Sequence, residues 1–266
     1  MSEIVSAVLL GIVEGLTEFL PVSSTGHLIL VNRFVGFTGN FANMFDIVIQ
    51  LGAILSVVVY FRKKLFPFGR SKSVIEKRQI WDIWKKAIVG VFPALVIAAT
   101  VWEHVEELLF NPFTVSIALI LGGFFLIFIE NRRKYSHINS IEALDYKTAI
   151  LIGLIQCLAI IPGTSRSAAT IIGAMLLGTS RVVAAEYSFF LAIPTMFAAT
   201  SYSLFKSGLG MTFSELVVLL TGFIVSFIVA LAVIAVFMNY ISRKDFKPFG
   251  YYRIILGALV LVYFYF

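Results

Sequence analysis

Apolar residues run along this chain in long stretches separated by short polar ones, and the stretches are of two kinds. Six are continuous, covering residues 43–61, 87–102, 113–130, 183–205, 214–240 and 252–266. They approach the roughly 20 helical residues needed to cross a hydrocarbon core of about 30 Å. The other two, 4–31 and 148–177, are apolar at both ends and polar in the middle. Pro21 and the run Ser23-Ser24-Thr25-Gly26 break the first; Pro162-Gly163 and Ser165-Arg166-Ser167 break the second. Proline removes a helical hydrogen bond, and Ser or Thr ahead of a fresh apolar run caps a new helix. Each flank is too short to span, so the pattern predicts two re-entrant helical hairpins. Backbone that leaves the helix at that depth is tolerated only where protein buries it or a cavity receives it.

Composition fixes the class. The chain has 266 residues, 59% hydrophobic and 14% charged, against about 45–50% and about 25% in a soluble domain. It reads as one polytopic all-α membrane domain. The net charge of +6 is no nucleic-acid signal, because the basic residues collect in short loops between apolar runs, as the positive-inside rule requires. One such loop runs from Arg62-Lys63-Lys64 through Arg70, Lys72, Lys77, Arg78 and Lys85 to about Lys86. A second holds Arg132-Arg133-Lys134, and a third Arg243, Lys244, Lys247 and Arg253. All three fall on one side, taken as cytoplasmic. The loop with Glu103, Glu106 and Glu107 lies opposite, and Pro93 is expected to kink the span before it. His104 and His137 read as solvated, Arg181 and Glu186 as interfacial. Lone Cys157 excludes an intrachain disulfide and reads as a packing residue. The N-terminal segment lacks a basic start and carries Glu14 and Glu18, so it is expected to remain in the mature protein.

The two interrupted stretches are related. Pro21 aligns with Pro162, Ser24 with Ser165 and Thr25 with Arg166 at an offset of 141; a one-residue gap then aligns Glu14 with Gln156 and Leu16 with Leu158. Three full spans, an odd number, separate the hairpins, so the halves must be oppositely oriented. The fold expected is an inverted-topology repeat of about six transmembrane helices plus two re-entrant hairpins. Repeat one covers about 1–131 and repeat two about 147–266. Such repeats place their site at the repeat interface near mid-membrane.

The chemistry gathers in the same places. Glu14 and Glu18 share a helix face one turn apart. Two carboxylates so close repel unless a divalent cation or a shared proton intervenes, and hard cations such as Mg2+ or Ca2+ take oxygen ligands that phosphate completes. Ser23, Ser24 and Thr25 start a half-helix whose free N–H groups attract an anion. A hydroxyl there becomes a nucleophile once His27 or a glutamate takes its proton. Arg166 supplies the cation from the second break, a guanidinium suited to phosphate oxygens. Beside it stand Gly163, Ser165, Ser167 and Thr170 as binding groups, with Gln156 and Gln50 lining the cavity; Asp46 shares the Gln50 face. Repeat one thus carries anionic and nucleophilic groups and repeat two the cation.

With these residues assembled, the chain resembles the undecaprenyl-diphosphate phosphatase family of the bacitracin-resistance type. The family's ExxxE followed by PVSSTGH stands here as Glu14-x-x-x-Glu18 and Pro21 to His27, and its PGxSRSxxT as Pro162 to Thr170. The likeness runs end to end, including Val48 to Gly52. It implies an enzyme of the bacterial cytoplasmic membrane that hydrolyses the C55 isoprenyl diphosphate carrier to the monophosphate for reuse in peptidoglycan synthesis, with a divalent cation. It further implies an interdigitated inverted repeat, a site open to the outer face, and bacitracin resistance on overproduction. Three assignments stay open for the attacking group: Ser24 with His27 as acid/base, His27 itself, or a metal-activated water. The competing class is a transporter or flippase of a phosphorylated lipid carrier or an anion, since broken helices in inverted repeats also serve transport. A scaffold subunit leaves the buried charges unexplained. A homo-oligomer is left open.

Overall fold

The computed structural model describes residues 2–69, 72–132, 136–207 and 210–265, apart from the side chains of Glu103, Glu106 and Ser207. Arg70, Arg133 and Lys134 of the predicted basic loops, and the Glu103 and Glu106 side chains, therefore lie outside the described residues.

Among the described residues eleven α-helices follow in order: α1 Glu3–Thr17, α2 Ser24–Val35, α3 Asn40–Tyr60, α4 Arg62–Leu65, α5 Val74–Leu109, α6 Pro112–Asn131, α7 Tyr146–Gln156, α8 Arg166–Leu176, α9 Arg181–Ser207, α10 Phe213–Ile241 and α11 Lys247–Tyr265. A 3-10 turn, Cys157–Ile160, follows α7. Among the described residues six helices, α3, α5, α6, α9, α10 and α11, are long and apolar enough to cross a membrane. The protein is a polytopic all-α membrane protein, with the expected number of long spans.

Two boundaries differ from expectation. α5 begins at Val74, not 87, because Ser73 caps it in a full capping box with Glu76. The charged residues from 76 to 86 that read as loop are the first turns of a helix longer than the hydrocarbon core. The same helix runs on through Pro93 to Leu109, so residues 103–107 are its last turns rather than a loop. α11 likewise begins at Lys247, which places Arg253 inside a helix and not in a basic loop.

Small residues let the helices approach closely, as in other membrane bundles. A Cβ on Gly11, Gly15 or Gly52 would strike backbone carbonyls of α10 at residues 222–226, and one on Gly153 would strike Gly90 of α5. Thus α1 and α3 pack on α10, α7 packs on α5, and α6 packs on α11. Aromatic residues fill the centre. Phe19, in the first break, meets Phe189 of α9 edge-on at 5.0 Å, and Phe61, Phe190 and Phe237 continue the cluster. At the basic-loop end, Arg181 grips buried Glu130 through Nε and Nη2, and Lys64 pairs with Glu186 at 2.7 Å.

Candidate active site

Both breaks are built in the same way. α1 ends at Thr17, the Glu18 N–H still donating to Glu14 O at 2.9 Å. The chain then turns so that Ser23 stands at φ 73° and its Oγ accepts from Gly26 N. In the second break Ser165 stands at φ 71° and its Oγ accepts from Ala168 N. Among the described residues these serines are the only non-glycine residues at positive φ. A side chain there is strained, and strain of this kind persists only where the surroundings over-determine it. The capping serines lie 142 apart, which corrects the offset of 141 read from the prolines. Ser24 therefore matches Arg166 and not Ser165, and Glu14 matches Gln156 with no gap.

A hydrogen-bond network joins the breaks. Ser24 Oγ donates to Glu18 Oε2 at 2.6 Å. Arg166 Nη2 donates to the other oxygen, Oε1, at 2.7 Å, and Arg166 Nη1 donates to Ser188 O at 2.8 Å. Ser167 Oγ donates to Leu20 O, and Ser165 and Thr170 extend the network through Ser167 and Ser188. Glu18, 6% exposed, thus holds the candidate nucleophile of one hairpin and the cation of the other on one carboxylate. A charged pair with both ends hydrogen-bonded in a low-dielectric interior is the arrangement under which burial of charge is tolerated.

Beside this network the site leaves polar atoms bare. Glu14 is fully buried, and among the described residues neither of its carboxylate oxygens has a partner; Gln156 Oε1 and Arg166 Nε are likewise unpartnered there. Bare buried acceptors call for a cation or a proton, and a bare guanidinium N–H calls for an anion, because such groups cost about 1–3 kcal/mol each when left unmet. Glu14 therefore fits a hard divalent cation. Glu18 is already engaged, and among the described residues no cluster of three His, Cys, Asp or Glu completes a cage, so most of such an ion's shell would come from substrate and water.

The remaining predicted residues take other places. His27 Nδ1 lies 2.7 Å from Ser23 O and Nε2 lies 2.6 Å from Tyr252 Oη, the two rings stacked nearly parallel at 5.6 Å. Ser24 is thus paired with Glu18, and His27 with Tyr252; of the two bases considered for the hydroxyl, the glutamate is the one in contact with it. Gln156 Nε2 reaches Thr195 Oγ1 at 3.4 Å. Gly163 O accepts from Arg253. Thr25 and Gln50 are half-buried and outside the network, while Asp46 accepts from Asn32 Nδ2 at 2.6 Å. Sequence reasoning missed Ser188, Tyr252 and Arg253. Arg253 carried a readable signal: residues 254–266, which follow it, are an uncharged apolar run, so it belongs to the span and not to the loop.

The family model described as "Bacitracin resistance protein BacA" matches residues 7–259. The chain is 51% identical to Undecaprenyl-diphosphatase 1 of Clostridioides difficile over 265 residues, covering 99% of this chain and 97% of that one. It is 52% identical to Undecaprenyl-diphosphatase of Limosilactobacillus fermentum, with 99% and 98% covered. It is 49% identical to Undecaprenyl-diphosphatase of Acetivibrio thermocellus, again with 99% and 98% covered.

Proposed function

This chain belongs to the bacitracin resistance protein BacA family, and on that premise we propose that it hydrolyses undecaprenyl diphosphate to the monophosphate and inorganic phosphate. The reaction returns the lipid carrier to peptidoglycan synthesis and confers bacitracin resistance. The observation that carries the assignment to these residues is the bare Arg166 Nε beside a carboxylate already bonded to a serine hydroxyl. It pairs a vacant anion donor with an activated nucleophile.

Hydrolysing a diphosphate places negative charge on the bridging oxygen and on the transferred phosphoryl group, so a protein contributes chiefly position and electrostatics. Ser24 Oγ attacks the terminal phosphorus and its proton passes to Glu18. The phosphorus–bridging-oxygen bond breaks, and the carrier leaves as the monophosphate. Water then cleaves the Ser24–phosphate bond and frees phosphate. Arg166 orients the base through one Glu18 oxygen and offers Nε to a phosphoryl oxygen. The backbone N–H groups at the start of α2 and α8 add further donors. His27, held by Ser23 O and Tyr252, stands within the same hairpin as the group that hands a proton to the leaving oxygen. A divalent cation, when bound, would neutralise diphosphate charge, with Glu14 as its protein ligand and substrate and water completing its shell.

The packing supports two interdigitated, inverted repeats, because the first helix of each hairpin lies on the other half: α1 on α10 and α7 on α5. The Lys/Arg-rich loops favour a topology with those loops in the cytoplasm of a bacterial cell, the first hairpin entering from outside and the site opening to the outer face.

Phosphate release by purified, detergent-solubilised protein tests the reading. It is run with Mg2+, with Ca2+ and with chelator, beside Glu18→Ala and Arg166→Ala. Cation-dependent release lost in both variants is expected. Binding of the lipid without release by folded wild type would overturn hydrolysis in favour of carrier transport. Acid-stable phosphate left on the protein after quenching would mark phosphoserine; an acid-labile adduct would move the attack to His27.

A further inference from the structure

Among the described residues Arg253 is the largest fully buried side chain, 0% exposed, and no carboxylate pairs with it there. A buried cation without a counter-ion is costly unless its donors are met. Here backbone meets them. Nη1 donates to Pro21 O at 3.2 Å and Nη2 to Gly163 O at 3.0 Å. Nη2 also donates to Ala118 O at 3.1 Å, and Nε to Leu119 O at 3.3 Å. Pro21 and Gly163 each stand two residues before a strained capping serine, one in each break. The guanidinium therefore spans the two breaks and fastens both to the middle of α6. Room has been left for it: a Cβ on Gly122 would collide with the guanidinium.

We propose that Arg253 is a positioning residue for hydrolysis, setting the separation of the two breaks and with it the register of Ser24 and Glu18 against Arg166. It touches neither nucleophile nor carboxylate, and acts through the carbonyls on which the two caps are built. Only a planar fork reaches carbonyls on separate segments at once; a lysine ammonium presents its donors at a single point. Its charge alone would serve binding of an anion, whereas its fork serves the transition state. This inference rests on the hydrolase reading above.

The test compares three variants in detergent, with phosphate release counted per folded molecule and melting temperature recorded. Arg253→Lys keeps the charge and loses the fork. Gly122→Ala keeps Arg253 and crowds the guanidinium from α6. Arg181→Lys breaks the fork on Glu130 at the basic-loop end and controls for lost stability. For Arg253→Lys we expect kcat to fall about 10- to 100-fold with KM within about threefold, the signature of a misplaced reacting group. Gly122→Ala should show a smaller fall of the same kind, and it carries the test alone if Arg253→Lys does not fold. Arg181→Lys should lose melting temperature with kcat retained. Unchanged kcat in the folded fraction of both Arg253→Lys and Gly122→Ala would overturn the inference and leave Arg253 a stabilising residue only, as would a rise in KM without loss of kcat. Failure of the hydrolase reading is separate, since wild type itself would then release no phosphate.

Discussion

The two breaks share a backbone and divide the chemistry. In each, a serine at positive φ caps the second half-helix through the N–H three residues on, and in each the carbonyl two residues before it accepts from Arg253. At matching positions the side chains diverge: Glu14 against Gln156, Glu18 against Ile160, Ser24 against Arg166, His27 against Ala169. A strained turn has been kept twice while its charged and reactive groups were distributed once. The strain therefore belongs to the scaffold, which aims half-helix N–H groups at a common point, and the reaction belongs to the substitutions made upon it.

The division of labour is most exposed at Glu18, whose side chain bonds groups of both hairpins. Glu18→Gln removes the proton acceptor of Ser24 and the negative charge facing Arg166 together, and turnover should fall by about 10^2- to 10^4-fold, the usual contribution of a general base. Adding Arg166→Ala to that variant should cost little more, because the two act as a unit; simple multiplication of the single losses in steady-state kinetics would refute the shared carboxylate. Next come the caps. Ser165→Ala loses a capping hydrogen bond, about 1 kcal/mol, while its Cβ keeps the strain that the positive φ already imposes on serine. Ser165→Gly keeps the backbone conformation at ease. Thermal unfolding should rank wild type above Ser165→Gly above Ser165→Ala, with the same order at Ser23. An inverted order would mean that the positive φ is not maintained. The smallest effect belongs to Tyr252→Phe, which removes one hydrogen bond from His27 and leaves the stacked ring. At about 0.5–1.5 kcal/mol, kcat/KM should drop roughly two- to tenfold with the melting temperature held. No change would set His27 aside from the reaction.

Much of this was legible beforehand because it is written in side chains. Pro21, Pro162 and the Ser-rich runs mark the breaks, and Glu18 and Arg166 stand out against an apolar background. What stayed hidden is written in backbone. The partners of Arg253 are four carbonyls, which every residue possesses and no sequence pattern announces, so the arginine read as one more basic-loop residue. Ser188 offers its carbonyl to Arg166 from within an aromatic run and gave no sign. The register slipped by one for a similar reason: prolines are visible and φ angles are not. The early start of α5 is different, since Ser73 and Glu76 formed a readable capping box, overshadowed by the charges around it.

The order in which these contacts become available follows from Arg253. Ribosomes deliver the first break with its two glutamates long before anything that completes it. Arg166, the partner of Glu18, is 148 residues downstream, and the arginine that donates to Pro21 O is 232 residues downstream. At about 5–20 residues per second, the first hairpin waits on the order of ten seconds or more for its last contact. During that interval its carboxylates and bare carbonyls must be sheltered by water, by the insertion machinery or by a provisional fold. α11 thus acts as a keystone, the site closing only when that helix has been made.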